Sequence, residues 1–208
     1  MTKIKLCGLS RPCDIEVVNE LHPAYIGFVF APKSRRYVSP GQVATLKKML
    51  DPGITAVGVF VNEEIGQIAA LLSAGIIDMA QLHGGEDEVY IGQLRARTDK
   101  PVIKAFRVDS GEDLQKAQES TADYVLLDSG SGGTGTSFDW RLLTKIKRPY
   151  FLAGGLDASS VTEAVARWKP YAVDVSSGIE TDGKKDPEKM QAFVAAVNCV
   201  GSTSKEQG

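Results

Sequence analysis

The amino-acid sequence predicts a single-domain α/β protein folded as a (β/α)8 barrel, also called a TIM barrel. Short runs rich in Val and Ile alternate with helical patterns eight times along the chain. Such runs are typical of parallel strands covered on both faces, and their alternation with helices predicts βαβ units. No change in composition marks a domain boundary. No GxGxxG segment follows the first strand, which disfavours an open doubly wound sheet.

Each predicted unit begins with a strand. The eight strands are predicted at residues 4–7, 25–30, 56–61, 78–83, 102–106, 124–128, 150–154 and 172–177. The helices that follow them are predicted in PCDIEVVNEL, PGQVATLKKML, EEIGQIAALLSAG, EDEVYIGQLRAR, GEDLQKAQES, FDWRLLTKIK, ASSVTEAVARW and DPEKMQAFVAAV. We expect the barrel to cover residues 1–200 and the polar residues 201–208 to form a frayed tail.

Composition narrows the class of protein. The 208 residues suffice for one sizeable core, and a formal net charge of −2 gives no basis for binding nucleic acid or a membrane. There is no apolar run of membrane-spanning length, and Met1 leads into KIKLC without a signal-peptide core. We therefore expect a cytoplasmic protein.

The three cysteines, Cys7, Cys13 and Cys199, form no CxxC pair, and the chain has only two histidines. This disfavours a disulfide framework and a metal site, so no metal is expected. Cys13 and Cys199 fall in helical patterns, where we expect them to be small apolar core residues.

The first strand, KIKLC, carries two lysines and ends in a cysteine. Because side chains alternate along a strand, Lys5 and Cys7 share the face opposite Ile4 and Leu6, and we expect them to point into the barrel. The same parity places Asp128 and Asp174 inside, and we expect Lys104, which shares a face with Val102 and Phe106, to lie there as well. Mutual neutralisation of buried charges is one explanation for the lysines. It explains Cys7 and Asp128 less well, because both stand at strand exits, where barrel active sites lie.

Glycine and serine follow the last two strands. Gly154 and Gly155 end the seventh strand, and Ser176, Ser177 and Gly178 end the eighth. Each glycine taken singly fits an ordinary turn. Their occurrence together on these two units favours a phosphate site, because backbone N–H groups of such loops bind oxyanions.

A third glycine-rich segment, DSGSGGTGTSFDW, covers residues 128–140 after the sixth strand. Its composition fits a loop that closes over a substrate and fits a merely flexible connection equally well.

Seven segments together resemble the phosphoribosylanthranilate isomerase family over essentially the whole chain. They are KLCG (5–8), GFVFAPKSRRYVSP (27–40), VGVFVN (57–62), QLHG (81–84), LLDSGSGGTGTSFDW (126–140), LAGGL (152–156) and DVSSGIETDGKKD (174–186). The sequence departs from the family pattern at DASSV (157–161), which affects only the start of the following helix.

The resemblance implies a tryptophan-pathway isomerase that acts on a small phosphorylated substrate. It converts N-(5-phosphoribosyl)anthranilate into 1-(2-carboxyphenylamino)-1-deoxyribulose 5-phosphate, an Amadori rearrangement that needs no metal or cofactor. By the resemblance, Asp128 is the general acid and Cys7 the general base. Asp128 then needs a raised pKa, and a thiol with a pKa of about 8.5 needs help to ionise at pH 7. We hypothesise that Lys5, about 7 Å away by strand rise, favours the thiolate, and that Asp174 or another interior carboxylate holds Lys5. The sequence supports equally well the alternative that Lys5 only forms a structural ion pair.

The resemblance also implies substrate-binding residues. Arg36 is the expected partner of the anthranilate carboxylate, for which a guanidinium fork is suited. For Arg35 we prefer a solvated loop charge. Asp174 resembles the residue that contacts the substrate amine or ribose hydroxyls, and His83 either contacts the ligand or has a structural role.

Two other functions compete with this hypothesis. One is the histidine-pathway aldose isomerase, which acts on a ribonucleotide with phosphate at two ends and uses two aspartates. The other is a non-catalytic sensor of a phosphorylated ligand. Monomer and homodimer are both compatible with the predicted fold.

Overall fold

Eight parallel strands close into a barrel in a computed structural model that describes residues 1–128, 143 and 146–203. Each strand pairs with its neighbour in sequence, and the eighth pairs with the first. The barrel strands are β1 (Lys3–Cys7), β2 (Tyr25–Val29), β3 (Thr55–Phe60), β4 (Met79–Leu82), β5 (Val102–Arg107), β6 (Tyr124–Asp128), β7 (Tyr150–Ala153) and β8 (Ala172–Val175). The predicted fold class is confirmed.

Helices connect most of the strands. Those in the described residues are α1 (Pro12–Leu21), α2 (Pro40–Met49), α3 (Ile65–Ser73), α4 (Glu88–Arg95), α5 (Gly111–Glu119), α6 (Val161–Trp168) and α7 (Pro187–Thr203). The helix predicted at 138–147 lies largely outside the described residues. The last helix runs through Thr203, three residues past the predicted end of the barrel.

Local sequence explains where helices begin. At α2, Ser39 accepts a hydrogen bond from the Gln42 backbone N–H, and the Gln42 side chain accepts one from the Ser39 N–H. Pro40 occupies the first helical turn, where a missing N–H costs nothing. The same reciprocal cap, between Ser110 and Asp113, starts α5.

A short hairpin follows β8 and was not predicted. A 3-10 turn (Ser177–Ile179) leads into β9 (Glu180–Thr181), which pairs antiparallel with β10 (Lys184–Lys185). Between them, Asp182 and Gly183 both have positive φ, at 51° and 75°. An Asp-Gly pair suits this turn because it tolerates the left-handed backbone that tight hairpins require.

The barrel has two apolar layers. One fills its interior and includes Tyr25, Ile103, Leu126 and Phe151; the other lies between strands and helices. Rings of Tyr25, Tyr124, Phe151 and Tyr171 pack together in the interior around the amino ends of their strands. The carboxyl ends carry the cavity described below.

No helix in the described ranges combines the length and apolar character needed to cross a membrane.

Candidate active site

A cavity of about 580 Å³ opens at the carboxyl ends of the barrel strands. Nine of the ten predicted site residues line it: Cys7, Arg36, His83, Asp128, Gly154, Gly155, Asp174, Ser176 and Ser177. The structure therefore brings the predicted acid, base, carboxylate-binding and phosphate-binding groups to one place. Gly178 is the exception and is not part of the lining.

Cys7 ends β1 and lies inside the barrel, as strand parity predicted. Lys5, two residues earlier, is fully buried, and its ammonium donates to Oδ1 of Asp174 at 3.0 Å. Burial would lower the pKa of Lys5, but the charges and hydrogen bonds of Asp174 and Cys7 together outweigh it and raise that pKa. Lys5 is therefore a permanent buried cation. Asp174 is the interior carboxylate that the sequence hypothesis required.

The Cys7 thiol experiences opposing influences. Burial raises its pKa, the positive charge of Lys5 lowers it, and the negative charge of Asp174 raises it again. Burial prevails, so the pKa of Cys7 lies above its ordinary value. Lys5 thus acts in the hypothesised direction without making the thiol unusually acidic.

Asp128 ends β6 and lies beside His83 in the cavity wall. The His83 Nε2 lies 3.6 Å from Oδ2 of Asp128, a distance at which charge acts although no direct hydrogen bond forms. Gln81, buried on β4, donates from Nε2 to Nδ1 of His83 at 2.9 Å. Because Nδ1 accepts this bond, a neutral His83 carries its proton on Nε2, toward Asp128.

Arg36 is held by a carboxylate that the sequence hypothesis did not include. Its Nε donates to Oε1 of Glu180 at 2.6 Å, and its Nη2 donates to Oε2 at 2.9 Å. Glu180 also accepts from Lys185 Nζ at 2.7 Å and from Arg35 Nη2 at 2.9 Å. Burial would raise the pKa of Glu180, but the hydrogen bonds from Arg36 and Lys185 lower it to about 2. Glu180 is thus ionised at neutral pH. The Arg35 side chain is 64% exposed yet ion-paired, so it is not simply solvated.

The loops after β7 and β8 form one wall of the cavity. Gly154 and Gly155 have φ angles of 99° and 62°, in a region of backbone conformation that residues other than glycine rarely adopt. Ser176 Oγ donates to the Cys7 carbonyl at 3.1 Å and accepts from Lys185 Nζ at 3.3 Å, so this loop is tied to β1. Gly178 packs against the backbone of Leu156, where an added Cβ would collide with the carbonyl oxygen. Close packing therefore explains why residue 178 is a glycine.

The prediction that Lys104 points into the barrel was wrong. Lys104 shares a face with Val102 and Phe106 as expected, but that face points to the helices, because Ile103 and Ala105 fill the interior. Its ammonium pairs with Glu86 at 2.9 Å.

Cys13 and Cys199 lie on helices but are exposed, so they are not core residues. Helical periodicity placed them on α1 and α7 without showing which side faces solvent. The segment 129–140, predicted as a closing or flexible loop, lies outside the described residues.

The residues that the sequence hypothesis missed include Gln81, which lines the cavity, and Glu180 and Lys185, which bond to the lining residues Arg36 and Ser176. Gln81 lies in the QLHG segment, where its two-residue spacing from His83 places both on one strand face. Glu180 and Lys185 lie on either side of Asp182-Gly183, and an Asp-Gly pair is a sequence pattern that predicts a hairpin turn. Their long-range partner Arg36 had no local signal, since it lies 144 residues from Glu180.

The closed barrel and this cavity define the class: a (β/α)8-barrel enzyme with ionisable side chains gathered at the carboxyl ends of its strands. Residues 4–196 match the family described as N-(5'phosphoribosyl)anthranilate (PRA) isomerase. The chain belongs to this family of isomerases.

Related sequences and structures agree with that assignment. The N-(5'-phosphoribosyl)anthranilate isomerase of Endomicrobium trichonymphae is 46% identical over 194 residues, covering 91% of this chain and 95% of the relative. That of Clostridium acetobutylicum is 44% identical over 205 residues, covering 95% and 98%. The phosphoribosyl anthranilate isomerase structure from Thermotoga maritima matches with a TM-score of 0.85 at 35% identity, covering 96% of this chain and all of that one.

A further structure of a phosphoribosyl anthranilate isomerase contains reduced 1-(o-carboxyphenylamino)-1-deoxyribulose 5-phosphate. It matches with a TM-score of 0.84 at 34% identity and covers 96% of this chain and 100% of that chain. This compound was bound by that related protein.

Proposed function

We propose that this protein converts N-(5-phosphoribosyl)anthranilate into 1-(2-carboxyphenylamino)-1-deoxyribulose 5-phosphate, in tryptophan biosynthesis, by general acid/base catalysis. The observation that carries the proposal is that Cys7 and Asp128, at the ends of β1 and β6, line one cavity with the glycine-bearing loops after β7 and β8. Arg36 lies in the same lining. A phosphate, a pentose and an aromatic carboxylate each have a suitable partner there.

The chemistry requires two proton transfers at the sugar. Asp128, in its protonated form, gives a proton to the ribose ring oxygen as the C1–O bond breaks, and the C1–N bond becomes a protonated imine because the nitrogen keeps its hydrogen. Cys7, as thiolate, removes the proton from C2, and the resulting enaminol tautomerises to the ketose. Substrate and product are isomers, so the proposed reaction consumes no co-reactant.

The surrounding groups have defined parts in this proposal. Lys5 increases the thiolate fraction of Cys7 against the effect of burial. The Nε2–H of His83 stabilises the Asp128 carboxylate formed when the proton leaves. Backbone N–H groups near Gly154, Gly155, Ser176 and Ser177 bind the phosphate. Asp174, already bonded to Lys5, keeps one oxygen for the substrate amine or a hydroxyl.

The experiment is an assay of the purified protein with two substrates. Fluorescence follows consumption of phosphoribosylanthranilate, and a parallel assay offers the histidine-pathway aminoaldose ribonucleotide. We expect turnover of the first only. Turnover of the ribonucleotide alone would replace this proposal with the histidine-pathway isomerase. Binding of the reduced product without any turnover would identify a sensor.

The oligomeric state, monomer or homodimer, and the cytoplasmic location remain predictions. One matching structure contains monomers generated from a dimeric Thermotoga maritima isomerase, which shows both states for that protein.

A further inference from the structure

We infer that Glu180 is a positioning residue that holds the Arg36 guanidinium by one edge and thereby presents another edge to the carboxylate of the substrate. This inference rests on the proposed function, in which Arg36 binds the anthranilate carboxylate. It assigns a role to a buried glutamate that the proton-transfer mechanism does not use. It also defines which hydrogens of Arg36 remain for the ligand.

The hydrogen bonds define the occupied edge. Arg36 Nε and Nη2 each donate to a different oxygen of Glu180, at 2.6 and 2.9 Å, which is a bidentate arrangement. Nε has a single hydrogen, so this edge is filled. A second carboxylate can be bound bidentately only by Nη1 together with the other hydrogen of Nη2. The orientation of the guanidinium plane therefore decides whether the substrate carboxylate is met by two donors or by one.

Glu180 is itself held firmly. It is 9% exposed, and its cross-strand partner on β10 is Lys185, whose Nζ donates to Oε1 at 2.7 Å. Lys185 also donates to the Ser176 carbonyl at 2.8 Å, which joins the hairpin to the loop after β8. The Glu180 carboxylate thus has little freedom to follow a rotation of Arg36.

The stem of Arg36 is confined as well. Gly8, at φ 82°, lies beneath it, and an added Cβ would stand 2.5 Å from Arg36 Cδ. The arginine side chain therefore passes closely over the backbone that follows Cys7. With its stem confined there and its head fixed by Glu180, Arg36 has a defined direction before any ligand arrives, which reduces the entropy cost of binding.

The sign of the charge effect separates positioning from simple electrostatics. Glu180 is negative, so removing its charge makes the cavity more positive and favours every anionic ligand. Electrostatics alone therefore predicts that Glu180→Gln binds anions at least as tightly as the parent. Positioning predicts a loss confined to ligands that carry the aromatic carboxylate.

The test compares two ligands by calorimetry in the parent, Glu180→Gln and Glu180→Asp. One ligand is reduced 1-(o-carboxyphenylamino)-1-deoxyribulose 5-phosphate, and the other is the same molecule without the carboxylate. The preference is the ratio of the two dissociation constants, that of the ligand without the carboxylate divided by that of the carboxylated ligand. We expect this ratio to fall about tenfold in both variants, the size of effect produced by losing a charge-assisted hydrogen bond. The affinity for the other ligand, which reports an intact phosphate site, is expected to be kept. Glu180→Asp retains the negative charge beside Lys185 but is one methylene shorter.

Arg35→Gln is the matched control, because it removes the exposed arginine from the same carboxylate and leaves both Arg36 bonds in place. Its ligand preference should equal that of the parent. An unchanged preference in both Glu180 variants, or an equal loss for both ligands, would overturn the inference while leaving the proposed isomerase reaction intact. If the parent binds neither ligand, the proposed function fails and this inference with it.

Discussion

The Lys5 ammonium and the Asp174 carboxylate form a buried ion pair, with 3.0 Å between Nζ and Oδ1, on adjacent strands inside the barrel. The two residues are register partners in the pairing of β1 with β8. Cys7 follows two residues after Lys5, and its pKa responds to both charges in opposite directions. The pair therefore influences the proposed base as well as the stability of the barrel.

Replacing Lys5 should make the Cys7 thiol harder to ionise. Lys5→Met removes the positive charge that lowers the pKa of Cys7, while burial and Asp174 continue to raise it. We expect the midpoint of Cys7 alkylation to move to higher pH. The rate of reaction with iodoacetamide as a function of pH measures this, in a background of Cys13→Ser and Cys199→Ser because both of those thiols are exposed.

Lys104→Met provides the control for the alkylation experiment. Lys104 is also a buried lysine, but it pairs with Glu86 on the helix-facing side of β5 and should leave the Cys7 midpoint unchanged. An unaltered midpoint in Lys5→Met would remove Lys5 from the mechanism and leave it as a structural ion pair.

The ion pair also makes a prediction about stability. Lys5→Met leaves the Asp174 carboxylate buried without its cation, which should reduce the free energy of unfolding by about 3–5 kcal/mol. The double variant Lys5→Met/Asp174→Asn no longer contains a buried unpaired charge, so it should be more stable than Lys5→Met alone. Urea unfolding of the four proteins measures the coupling. Additive effects of the two substitutions would show that the pair does not act as a unit.

Acid should weaken the hairpin after β8. The pKa of Glu180 is about 2 in the folded protein, against an ordinary value of 4.5. As pH falls, the unfolded chain takes up this proton first, so the stabilisation is present above about pH 4.5 and is lost as pH falls toward 2. The difference in unfolding free energy between the parent and Glu180→Gln should therefore shrink across this range. A difference that stays constant with pH would contradict the assignment.

Gln81 should matter for turnover through His83. Gln81→Met has a side chain of similar length that cannot donate to Nδ1, so the ring is no longer fixed with its Nε2 hydrogen toward Asp128. We expect kcat to fall by about tenfold, less than the roughly 10²–10⁴-fold that general acid–base catalysis itself contributes, because Gln81 acts only through His83. Affinity for the reduced product should change little. Equal kcat values in parent and variant would show that the tautomer of His83 has no part in the reaction.

Strand and helix positions were predictable because they depend on local periodicity. The helix predicted at PCDIEVVNEL coincides with α1, and the predicted strand at 124–128 coincides with β6. Alternation also placed Lys5 and Cys7 inside correctly, because the aliphatic Ile4 and Leu6 identified the outer face. At Lys104 both neighbouring faces are apolar, so alternation gave the shared face without telling which side was the interior.

Long-range partners were the part that local patterns did not reveal. Strand parity gave Asp174, or another interior carboxylate, as the partner of Lys5, because both residues fall on interior strand positions. Glu180 lies outside the barrel strands, on a two-residue strand, and its contact with Arg36 depends on how two loops fold over the cavity. Solvent exposure of Cys13 likewise depends on the rotation of α1 against the barrel.

The central claim is that Cys7 and Asp128 transfer the two protons of the isomerisation. Its most direct test is kcat for phosphoribosylanthranilate in Cys7→Ser and Asp128→Asn, measured beside the affinity of each variant for the reduced product, with Cys13→Ser as the control for loss of a thiol. We predict a fall in kcat of about 10²–10⁴-fold in both site variants, with product affinity retained and Cys13→Ser equal to the parent. A kcat close to that of the parent in either site variant would contradict the account.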